Sequence, residues 1–126
     1  MMTVLLVGVM LVLSHELGHI LATLGCGGRF RGLVFRGLAV GVALDVTRLS
    51  LAQRLFTAWA GVIAETSLLA VLGLGAHVGW WPWMIPFWAL LLVAANALLN
   101  LGPWWSHNDG ARLRTWRRML RLSSSH

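Results

Sequence analysis

His15 and His19 stand four positions apart with Glu16 between them, in the run His15-Glu16-Leu17-Gly18-His19. On a helix, positions i and i+4 share one face, so both imidazoles can grip a single zinc ion. Glu16 can then take a proton from a metal-bound water. The bland alternative is a structural helix with two incidental histidines. The setting weighs against it, because the run lies in an otherwise apolar opening stretch, residues 1–24, where each ionisable side chain is costly.

A zinc site also needs a third protein ligand and an open position for water. The only acids in the chain are Glu16, Asp45, Glu65 and Asp109. Asp109 and His107 lie close together beyond the last apolar stretch, and either side chain is a competent ligand. Asp109-Gly110 is also a strong turn dipeptide, so a plain turn is the alternative there. Glu65 lies ~15 Å along its own helix from Arg54, at a depth comparable with His15. It reads either as a hydrogen-bonded core acid or as a group lining the site.

The elements that must position these groups are membrane-like. Hydrophobic residues make up 58% of the chain and charged ones 11%, against roughly 45–50% and 25% in soluble domains. In 126 residues there is room for one domain, 1–126. Three apolar spans are legible, at about residues 2–24, 55–74 and 83–101, each near the ~20 residues that cross a ~30 Å hydrocarbon core. Pro82 suits an early helix position, Pro86 is tolerated in the first turns, and Pro103 acts as a stop. The apolar N-terminus lacks a basic leader and reads as a retained span. Cys26 is the lone cysteine, so neither an intrachain disulfide nor a thiolate zinc knuckle is available.

All ten cationic residues are arginines, and the formal net charge is +6. Arg29, Arg31, Arg36, Arg48 and Arg54 lie between the first two spans, and Arg112, Arg114, Arg117, Arg118 and Arg121 follow the third. That placement reads as membrane topology and not as a nucleic-acid surface. The positive-inside rule puts both basic segments in the cytoplasm, with the N-terminus outside and the C-terminus inside a multi-pass cell-membrane protein. Trp80, Trp81 and Trp83 then form an outer aromatic belt, and Trp104, Trp105 and Trp116 an inner one. His15 and His19 lie roughly 8–14 Å in from the cytoplasmic end at 1.5 Å per residue, on the side where Asp109 also falls.

The loop after the first span has its own pattern. Phe30-Arg31-Gly32-Leu33 is echoed by Phe35-Arg36-Gly37-Leu38 before a run of small and β-branched residues, which predicts a short β-hairpin at the membrane surface. At the C-terminus, Leu113, Trp116 and Leu120 share one helical face opposite a ring of arginines. This is the pattern of an interfacial amphipathic helix with anionic lipid as its neighbour. The expected fold class is therefore an all-α membrane protein: three transmembrane helices, a short β-hairpin between the first two, and a C-terminal interfacial helix.

The chain resembles the site-2 protease-type intramembrane zinc metalloproteases. The resemblance rests on the His15 to His19 run, on Asn100-x-x-Pro103 followed by Asp109-Gly110, and on Gly61-Val62-Ile63-Ala64-Glu65 in the second span. It covers nearly the whole chain. It implies that His15, His19 and Asp109 bind Zn2+, that Glu16 is the general base, and that Asn100 orients substrate backbone. The implied substrate is a membrane-anchored protein cut within or near the bilayer. A helical substrate must unwind to be cut, and the expected hairpin offers its unwound segment a place as an added strand. Two departures stand out. Residues 104–108 make the stretch after Pro103 one residue longer than is usual in the family, which keeps His107 open as a ligand. Glu65 occupies a position where the family often has asparagine. The competing reading is an inactive family member acting as a membrane-embedded binding or adaptor protein. A regulatory partner is compatible with either reading, and the sequence identifies none.

Overall fold

Hydrophobic patterning and helix signals place the main elements, and the computed structural model describes residues 2–36, 39–101 and 109–123. In chain order they are α1 (Met2–Gly25), β1 (Arg29–Arg36), β2 (Ala39–Asp45), α2 (Leu51–His77), α3 (Met84–Leu101) and α4 (Asp109–Ser123). Helix α2 starts a turn earlier than its apolar run because of a capping box. The Ser50 hydroxyl accepts from the Gln53 amide at 3.3 Å, and the Gln53 side chain accepts from the Ser50 amide at 2.9 Å. Two helices, α1 and α2, are long and apolar enough to cross a membrane by length and composition. Helix α3, expected as a third span, is shorter at 18 residues, or ~27 Å at 1.5 Å per residue.

One stripe on α1 organises the bundle. Its buried residues are Val7, Leu11, His15, His19 and Thr23, each four after the last. Such a row drifts slowly around the helix axis, so one helix can meet different neighbours along its length. Val7 and Leu11 pack with Leu72 of α2 and Ala89 of α3 in the apolar core. Further along, the stripe turns polar and faces α2. The crossing there is close: a Cβ on Gly18 would lie 2.5 Å from the Ala60 carbonyl oxygen. Ala58, Ala60 and Gly61 of α2 are buried in this region, and small residues let two backbones approach.

The expected hairpin is present. β1 and β2 pair antiparallel, with Leu33 opposite Val42 and Arg29 opposite Asp45, and the register shifts between Phe30 and Gly32. Its base is tied by Asp45, which accepts from Arg31 at 2.6 Å and from the Thr47 hydroxyl at 2.6 Å. The Thr47 hydroxyl and then Arg31 hold the Asp45 carboxyl well below the usual carboxylate range.

Two side-chain expectations change in the folded chain. Trp81, read as part of an aromatic belt, donates its indole N–H to the Leu72 carbonyl at 2.7 Å and packs against α2. Trp80 and Trp83 remain exposed. Leu113, read as facing lipid, is buried, in a helix that packs on α2 and α3.

Polar groups share the interior with the apolar core, while large apolar side chains lie outside. Among the described residues the buried polar ones are His15, His19, Thr23, Thr57 and Glu65, while Leu5, Leu13, Leu17, Leu21 and Leu24 of α1 are exposed.

Candidate metal centre

The H-E-x-x-H run occupies one turn near the middle of α1, and the helix sends its side chains two ways. His15 and His19 point into the α1–α2 crossing and are 5% and 7% exposed. Glu16, one residue round, lines a groove of about 930 Å³ that also touches Glu65 and Asn96. The rest of the groove is apolar, including Val12 of α1, Leu92 of α3, and the cross-strand pair Leu33 and Val42 of the hairpin.

The two imidazoles meet through their Nε2 atoms at 3.0 Å. Two zinc–nitrogen bonds of ~2.0–2.1 Å at a tetrahedral angle set their nitrogens ~3.3 Å apart, so the pair is nearly spaced for one metal. The same separation also suits an N–H···N hydrogen bond. The outer nitrogens distinguish the rings further. His19 Nδ1 donates to the Thr57 carbonyl oxygen at 2.7 Å. A carbonyl can only accept, so this contact fixes the proton on Nδ1 and leaves Nε2 with its lone pair. That is how a metal-binding histidine is commonly oriented.

Gly61 makes room for the pair. A Cβ there would lie 2.5 Å from His19 Nε2 and 2.7 Å from His15 Nε2. The rings therefore sit directly on the α2 backbone, in a cradle that a larger residue would fill.

Glu65, one turn beyond Gly61, is 1% exposed. Its Oε2 lies 3.5 Å from His15 Nδ1, and its Oε1 accepts from the Asn96 amide of α3 at 2.5 Å. The geometry thus brings together His15, His19, Glu65 and, at the groove, Glu16. Asp109 begins α4, but its side chain, the Asn100 side chain and the whole of His107 lie outside the described residues. Among the described residues, no group of three or more His, Cys, Asp or Glu side chains is arranged to hold a metal.

Sequence reasoning missed two contributors. Asn96 had a signal, since an amide inside an apolar helix calls for a partner. Thr57 contributes a main-chain oxygen, which side-chain identity does not encode. Comparison with protein-family models, curated proteins and solved structures finds no match to this chain.

Proposed function

We propose that this chain is a membrane-embedded zinc metalloprotease of the site-2 protease type, hydrolysing a peptide bond of a membrane-anchored protein. The observation that carries the reading is the His15–His19 pair. Its two Nε2 atoms are 3.0 Å apart, buried in a bundle whose outer face is apolar. Ionisable groups at that depth are costly, and function is their usual reason.

In this reading α1, α2 and α3 all cross the bilayer, with the N-terminus outside and the C-terminus in the cytoplasm. Exposed Arg114, Arg117 and Arg118 of α4 then lie against anionic lipid. His15 and His19 supply two zinc ligands and Asp109 the third, with His107 as the competitor for that place. A zinc ion held there would supply Lewis-acid polarisation of a water and of the scissile carbonyl. Glu16 accepts the water proton as the oxygen bonds to the carbonyl carbon. It returns that proton to the amine nitrogen as the carbon–nitrogen bond breaks. The apolar groove beside Glu16 suits a hydrophobic substrate segment, and the hairpin at its edge offers strand pairing to an unwound one.

The test is zinc content of the purified chain together with cleavage of a single-span substrate. Glu16→Gln is expected to retain zinc and lose ~10²–10⁴-fold in turnover. Near-normal turnover by that variant removes Glu16 from the mechanism. Substrate binding without zinc and without cleavage would instead identify a non-catalytic adaptor.

A further inference from the structure

We propose that Glu65 is the positioning carboxylate of the His15 ligand, and that Asn96 holds it in place. The inference rests on the zinc reading above and assigns to the second and third helices a task within it. The two histidines are oriented unequally. His19 has a main-chain carbonyl on its outer nitrogen, 2.7 Å away on Thr57. His15 has a carboxylate on its own, Glu65 Oε2 at 3.5 Å.

The carboxylate is not placed there by exposure to water. Glu65 is among the largest fully buried side chains, and among the described residues Oε2 has no hydrogen-bond donor. A buried acceptor left in that state is costly. With a metal on Nε2, the His15 Nδ1–H would become the missing donor. A neutral imidazole that gives its Nε2 lone pair to a metal must carry its proton on Nδ1, the atom facing Oε2. Glu65 would then fix the ring plane and raise the basicity of Nε2, as carboxylates do behind zinc-bound histidines.

Asn96 completes the device. Its amide donates to Oε1 at 2.5 Å, which favours the rotamer that turns Oε2 towards His15. The contact also ties α3 to α2 at the level of the ligands. Asn96 and Glu65 both line the groove at which Glu16 lies.

The experiment uses the purified full chain in detergent micelles, with Zn2+ competed against a chelating indicator and Co2+ followed by its visible absorption. Glu65→Gln should weaken Zn2+ binding on the order of 10–100-fold and shift the Co2+ bands, because the ring loses its anionic partner. Asn96→Ala should give a smaller loss in the same direction. In the zinc-loaded wild-type chain, nitrogen-15 NMR should show His15 protonated at Nδ1 with a strongly downfield proton. That measurement needs no variant to fold. Wild-type affinity and an unchanged Co2+ spectrum in Glu65→Gln overturn the proposal and leave the zinc reading standing. So does a zinc-loaded His15 protonated at Nε2. A wild-type chain that binds no Zn2+ overturns both.

Discussion

Gly61→Ala places one methyl group against the two rings on which the zinc reading depends. The added carbon would sit 2.5 Å from His19 Nε2, about 0.9 Å inside ordinary van der Waals contact at 3.4 Å. The rings have little freedom to give way. Both are buried, and His19 is pinned through Nδ1 to Thr57. Metal sites tolerate ligand distances to within roughly 0.2 Å, so a displacement several times larger should cost ~100-fold or more in zinc affinity. The fold should survive. Overpacking costs ~1–3 kcal/mol, and the helix gains up to ~1 kcal/mol when glycine becomes alanine, leaving a net loss of ~0–2 kcal/mol. Gly73→Ala, in the same helix, is the control: its Cβ would meet nothing within 4 Å. It should bind zinc as the wild type does and be slightly more stable. Chelator competition gives the affinities, and thermal unfolding in one detergent gives the stabilities. Wild-type zinc affinity in Gly61→Ala would refute the placement of the metal between these rings.

Gly18→Ala tests the helix crossing separately, since its Cβ would strike the Ala60 carbonyl at 2.5 Å, and backbone yields less readily than a side chain. We expect a loss of ~1–3 kcal/mol in thermal unfolding; unchanged stability would mean that α1 and α2 do not meet there. Because the folded Asp45 carboxyl is held low, its contribution to the hairpin base is full above the ordinary carboxylate value, ~3.9, and fades only as pH falls below it. Limited proteolysis of the hairpin should therefore match at pH 5 and pH 7, and Asp45→Asn should be cut faster at both; hairpin opening already at pH 5 contradicts this. For topology, cysteines substituted at Ser124 and Met2 should label from the cytoplasmic and outer faces respectively. Labelling of Ser124 from outside overturns the orientation.

The pairing of the two histidines was legible in the sequence because it rests on short-range periodicity. A spacing of four residues puts His15 and His19 on one face of any helix, whatever surrounds it. The apolar runs marked α1, α2 and α3, because each stretch carries its own hydropathy. The Phe-Arg-Gly-Leu echo and the small β-branched run marked the hairpin, since pairing of adjacent segments needs only a turn between them. Glu65 was visible as an expensive acid, and its spacing from Arg54 gave its depth.

What surrounds the histidines was decided by tertiary structure alone. The direction of the α1 stripe is a sequence property, but its contact with Gly61 depends on how closely two backbones cross. Thr57 enters through a carbonyl oxygen, which any residue carries, so its identity holds no trace of that role. Asn96 and Glu65 are 31 positions apart and meet because α3 returns beside α2. Trp81 folds back to a carbonyl, because a half-buried indole N–H needs an acceptor and Leu72 presents one. Periodicity names the face a residue shares with its neighbours along one helix. Only the packing of helices against one another determines which atom waits on the other side.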